Sequence, residues 1–123
     1  MSLPASQRGF TLIELIAVLV IMGILASIAV PKYYDITRES QNKAALQAVM
    51  EGKARLSMTY ARLFLENGAP PDAATLIASV ATTSVGDYTL NFSAIMASSD
   101  IKIDAYGKGG VPGTNNGVWL LPK

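Results

Sequence analysis

Between Phe10 and Val30 the chain runs for about 21 residues with a single ionisable side chain, Glu14. As a helix that stretch is roughly 31 Å long, the hydrocarbon thickness of a bilayer. A segment of this length and composition has few physical homes, and a membrane is the first of them. A carboxylate inside it costs several kcal/mol unless something pairs with it. The segment itself offers no partner, so the acid is expected to find one elsewhere.

The residues ahead of the run, MSLPASQRG, are short and polar, with one basic residue, Arg8, next to the apolar stretch. Ordinary secretory leaders are cut after their apolar region, whereas the candidate site here lies before it, so the apolar segment stays with the mature chain. Without further detail this reads as a signal anchor whose flanking Arg8 marks the cytoplasmic end. The detail is Arg8-Gly9-Phe10-Thr11-Leu12-Ile13-Glu14 followed by the apolar run and Pro31. It resembles the N-terminus of type IV pilins and of their relatives, the type II secretion pseudopilins. The resemblance covers about Gly9 to Tyr34, a fifth of the chain.

That resemblance implies a leader over residues 1–9, cleaved between Gly9 and Phe10 by a prepilin peptidase that also methylates the new amine of Phe10. It implies that Glu14 pairs with Phe10 of a neighbouring subunit during assembly, and that the helix loosens between Gly23 and Pro31. The residues support the last point independently: Pro31 offers no amide hydrogen to the carbonyl of Ser27 and crowds it. Gly23, Ala26, Ser27 and Ala29 are small, which lets helices approach closely in a membrane or a fibre core. The implied function is a structural subunit, held in the inner membrane as precursor and monomer. From there the pilus assembly machinery polymerises it into a filament on the cell surface. A secretion or competence pseudopilin forming a short periplasmic fibre is the alternative.

Composition bounds the remainder. In a chain of 123 residues, the roughly 90 after Pro31 hold one domain with a modest core. Ten Lys and Arg oppose nine Asp and Glu, and without Arg8 the two balance, so nothing points to nucleic acid. Cysteine and histidine are both missing, which removes disulfides, thiolate and imidazole ligands, and the commonest general base.

Helical signals continue after Pro31 to about Glu66. Ala45, Val49, Leu56 and Leu63, with Ala48, Gly52 and Tyr60 beside them, repeat at three, four and seven and define one apolar face. Opposite lie Arg38, Glu39, Lys43, Glu51, Lys53, Arg55 and Arg62, among which Glu51 and Arg55 form a favourable i, i+4 pair on a solvated face. Phe10 to Glu66 therefore reads as one long bent helix on the order of 85 Å, its first half transmembrane and protruding, its second half packed on a head. Gly68 is suited to the left-handed position after the helix, and Pro70-Pro71 forbid its continuation. Asp72 caps a short helix from about Ala73 to Val80. Alternating patterns at 88–92 and 101–106 and a closing run at 118–121 predict strands. The head, residues 32–123, is thus α+β: two helical stretches followed by an antiparallel sheet of about three to four strands.

No catalytic, cofactor or metal site is expected. Gly107-Lys108-Gly109-Gly110 has a phosphate-loop flavour but no helix follows it. The Asn116-Gly117 pair before Val118 suggests that 108–117 is a turn. Asn91-Phe92-Ser93 matches a glycosylation pattern but falls inside a strand. Asp100 and Asp104 are candidate calcium ligands, yet 108–117 contains no acid, and a hard cation needs several oxygens with net negative charge. A membrane-tethered enzyme or solute-binding module has only the Gly-rich loop in its favour.

Overall fold

The structure is a computed structural model and describes residues 9–122. The leader expected over residues 1–9, Arg8 included, lies outside the described residues except for Gly9. Helix α1 spans Leu12–Asn67 and α2 spans Ala73–Ser79. Four strands follow: β1 (Ser84–Val85), β2 (Tyr88–Ala94), β3 (Ile101–Gly107) and β4 (Thr114–Trp119). They form an antiparallel sheet in the order β1-β2-β3-β4, each strand beside its sequence neighbour. The fold is α+β, a long N-terminal helix with an antiparallel sheet. The chain divides into two units, one ending at Ile36 and one beginning at Thr37.

In the first unit α1 is helical from Leu12, and every residue from Gly9 to Ile36 is exposed. Pro31 sits inside the helix and the helical assignment runs through it.

In the second unit α1 presents a buried stripe of Ala45, Ala48, Val49, Gly52, Leu56 and Leu63, the face that the three-four-seven spacing predicts. Strand register decides what it meets. Leu90 pairs with Ala105, Phe92 with Ile103, and Ile101 with Trp119, and these rows supply most of the sheet's contribution to the core. The alternate rows, such as Asn91, Asp104 and Asn116, form the polar set, as a period of two requires. Leu76 and Ala73 of α2 close the core. Leu56, Leu76, Leu90, Ile101 and Ile103 are almost completely buried, each contributing about 1.5–3 kcal/mol.

Two glycines set how closely helix and sheet approach. A Cβ on Gly52 would lie 3.0 Å from Leu90 Cδ1 and 3.2 Å from Ile103 Cγ2. A Cβ on Gly117 would lie 2.8 Å from Val49 Cγ1 and 3.1 Å from Lys53 Cε. Gly117 is therefore no turn residue. The expected turn over 108–117 is shorter, and β4 begins at Thr114 and ends at Trp119 instead of occupying 118–121. Asn116-Gly117 lies within the strand, pairing with Asp104 and Ile103, because the close approach to α1 outweighs the local hairpin preference. Strand β1, two residues long, carries no alternation that a sequence pattern could reveal.

Hydrogen bonds fasten the cysteine-free C-terminal region. The Tyr88 hydroxyl lies 3.1 Å from the Gln41 carbonyl and 3.4 Å from that of Pro112, sharing its proton between them. Asn115 Nδ2 donates to the Asn42 carbonyl at 3.3 Å, and Trp119 Nε1 donates to Ser57 Oγ at 3.0 Å. Asp100 Oδ1 accepts from the Leu121 amide at 3.0 Å. At the other end of the core Gly68 takes the left-handed conformation, φ 67°, and Asp72 Oδ1 accepts from the Thr75 amide at 2.9 Å to cap α2.

Candidate functional site

The residues singled out at the N-terminus sit at the mouth of α1. Gly9 and Phe10 precede the helix in chain with no regular structure, so the peptide bond between them is not tied into a helical ladder. Thr11 is the residue before the helix, and its carbonyl accepts from the Leu15 amide at 3.3 Å. Its side chain does more. Thr11 Oγ1 accepts from the Glu14 amide at 3.3 Å, while Glu14 Oε2 accepts from the Thr11 amide at 3.1 Å. This is a reciprocal capping box, in which two amides that the helix start leaves orphaned are satisfied by each other's side chains.

The box corrects the expectation that the segment holds no partner for Glu14. Thr11 provides one, without charge, and the acid also gains from the positive end of the helix dipole. The sequence signal for it is Thr-x-x-Glu ahead of an apolar run.

Beyond Glu14, the large apolar side chains from Phe10 to Val30 are each between 49% and 85% exposed. The helix that carries them is long and apolar enough to cross a membrane. Gly23 is open, with nothing within 4 Å of where a Cβ would stand, so no packing among the described residues demands a glycine there. Pro31 is likewise exposed.

The other candidate positions are taken up by the head. Lys108 Nζ donates to the Gly86 carbonyl at 2.7 Å and to Ser84 Oγ, so the Gly-rich loop uses its lysine to hold the β1–β2 turn. Asp104 pairs with Lys102 at 2.9 Å, and hydrogen bonding to that carboxylate holds the lysine above its ordinary pKa. Among the described residues no cluster of three or more His, Cys, Asp or Glu is poised for a metal. Asn91 lies in β2, where the glycosylation pattern was expected to fall.

Arg55 has a role that the helical pattern alone did not reveal. Besides pairing with Glu51 at 3.1 Å, its Nη1 donates to the carbonyls of Thr82 and Ser84 at 2.9 and 3.1 Å, tying α1 to the chain entering β1. A groove of about 600 Å³ lies there, lined by Met50, Glu51, Arg55, Val85 and Asp87 among others. It contains no His or Cys, and its Glu51 and Arg55 are engaged with each other.

Residues 4–30 match the family model for the prokaryotic N-terminal methylation motif. The chain is 34% identical over 110 residues to the type IV major pilin protein PilE of Neisseria gonorrhoeae, covering 83% of this chain and 64% of that one. It is 34% identical over 110 residues to a fimbrial protein of Neisseria meningitidis serogroup A, covering 83% and 62%. A fimbrial protein of Pseudomonas aeruginosa is 44% identical over 63 residues, covering 42% and 41%. The chain spans less than two thirds of the length of each of these relatives. No solved structure matches.

Proposed function

The chain belongs to the type IV pilin family, and from that premise we propose that it is a filament-forming subunit of a type IV pilus. The observation that carries the proposal is an exposed apolar helical stretch that begins at Leu12, just past Gly9-Phe10-Thr11, and has Glu14 as its one charge up to Val30. A prepilin peptidase cuts between Gly9 and Phe10 and methylates the amine of Phe10. The monomer waits in the inner membrane with residues 10–31 in lipid. The assembly machinery then extracts it, and the apolar helices of many copies cover one another in the fibre core.

Glu14 meets the Phe10 amine of a neighbour. Subunits docked out of step leave a carboxylate and an ammonium buried apart, so the pair sets the register. Gly23 and Pro31 let the helix loosen as it leaves the bilayer. Contacts that never close on themselves generate a helical filament displayed on the cell surface. The fimbrial and pilin names of the relatives favour a surface pilus over a short periplasmic pseudopilus.

Intact-mass measurement on fibres sheared from cells tests this. The expected subunit begins at Phe10 with one added methyl group, and Gly9 replaced by a bulky residue leaves uncut precursor in the membrane. Fibres whose subunit retains residues 1–8 contradict the processing step, and cells with only short periplasmic fibres move the assignment to the pseudopilins.

A further inference from the structure

Three aromatic residues lie in the sequence up to Ile36, and they stand at the two ends of the apolar run: Phe10 before it, Tyr33 and Tyr34 after it, with none between. The structure sets the distance between those ends. Helix α1 starts at Leu12 and its assignment passes through Pro31 without a break, so Leu12 and Tyr33 are about 32 Å apart along the axis. The hydrocarbon layer of a bilayer is about 30 Å thick, so with Leu12 at one boundary the two tyrosines reach the other. Tyr33 and Tyr34 are 70% and 67% exposed, their rings meeting edge to face with centroids 6.4 Å apart, and neither ring is buried. Lys32 directly precedes them and is exposed as well.

We propose that Tyr33 and Tyr34 form an interfacial belt, seated among the lipid headgroups where the membrane segment ends, and that this belt sets the depth at which the single subunit floats. The proposal rests on the reading of the chain as a membrane-held monomer. A tyrosine joins an apolar ring to a polar hydroxyl, so it lies most favourably where hydrocarbon gives way to headgroups and is disfavoured on either side. Two in succession project about 100° apart on a helix, which lets the pair hold that boundary over a wide arc. The boundary surrounds the helix, so the belt needs no particular facing partner. Lys32 adds to it, since its stem lies along apolar surface while its ammonium reaches the headgroups. Asp35 belongs in water, and the polar boundary is thereby pinned between positions 32 and 35.

The test uses the full chain in phosphatidylcholine vesicles, with a spin label on Ile36→Cys, a unique thiol because the chain has no cysteine. Depth is read from the label's relative exposure to oxygen, which partitions into lipid, and to a nickel complex that stays in water. With both tyrosines present the label is expected in the headgroup region. Tyr33→Leu with Tyr34→Leu extends the apolar run past Pro31 and should move the label toward the hydrocarbon by about one helical turn, roughly 5 Å, whether the helix sinks or tilts. Tyr33→Trp with Tyr34→Trp keeps interfacial rings and should hold the wild-type depth. A label that stays in place in the leucine pair overturns the proposal, as does a tryptophan pair that sinks as far as the leucine pair. Flotation on a density gradient separates the two readings. Chain that does not rise with the vesicles removes the membrane-held monomer and the belt with it, whereas chain that rises with an unmoved label removes the belt alone.

Discussion

One helix serves two regions under opposite rules. From 12 to 36 none of its residues is buried in its own chain, although nearly all are apolar; from 37 to 67 it buries a narrow stripe, with Leu56 at 0% exposure. The second region carries charge on its remaining faces and meets a sheet cut to fit it, down to the glycines at 52 and 117. The first has apolar side chains all round, and a partial covering would still leave apolar surface in water. If the proposed function holds, head stability and assembly draw on separate sets of residues, and substitutions should sort cleanly between them.

The largest effect is expected at Glu14. Glu14→Val should lower fibre yield by more than about tenfold, since a register error leaves unpaired charge in the core. The melting temperature of the head should not change. A lower melting temperature with normal fibres would reverse the proposed division. Next comes Leu56→Ala, which empties a fully buried site facing the sheet and should cost the head about 2–5 kcal/mol in a denaturation experiment. The matched Leu19→Ala, in the exposed region, should leave head stability untouched.

A smaller effect tests the close approach. Gly117→Ala places a methyl against the buried Val49 at 2.8 Å and should destabilise the head by about 1–3 kcal/mol by chemical denaturation. A neutral result would mean that β4 can draw back from α1 at little cost. The smallest effect concerns acid. The hydrogen bonds from Thr75 hold the Asp72 carboxyl below its ordinary value of 3.8. A lowered folded-state pKa contributes stability that is present above the ordinary value and lost as pH falls from there through the folded value. Removing the carboxyl with Asp72→Ala should therefore flatten the acid limb of the stability curve in that window, read from melting temperature against pH.

Much of this division is legible in the sequence. The apolar run, the stripe from Ala45 to Leu63, the left-handed Gly68 and the Asp72 cap all follow from periodicity or from backbone chemistry acting over a few residues. The misreadings share a different cause. Asn116-Gly117 has a strong local hairpin preference, and only contact with Val49, nearly seventy residues earlier, explains a glycine inside β4. Arg55 looked like half of a surface pair because its carbonyl partners at Thr82 and Ser84 are distant in sequence. Thr11 is the exception. Its signal is local, a Thr-x-x-Glu pattern, but a lone acid in an apolar run implies a charged partner, whereas the one in the structure is neutral and three residues away.

The central claim is that the head from Thr37 onward is self-sufficient and that the apolar region adds nothing to its stability. A fragment beginning at Lys32 measures this directly, by circular dichroism and sedimentation. It should be a soluble monomer of mixed helix and sheet, melting in one transition within a few degrees of the head in the full chain. A fragment that is unfolded, aggregated or lower in melting temperature by more than about 10 °C, a loss of more than about 1 kcal/mol for a domain of this size, would contradict the account.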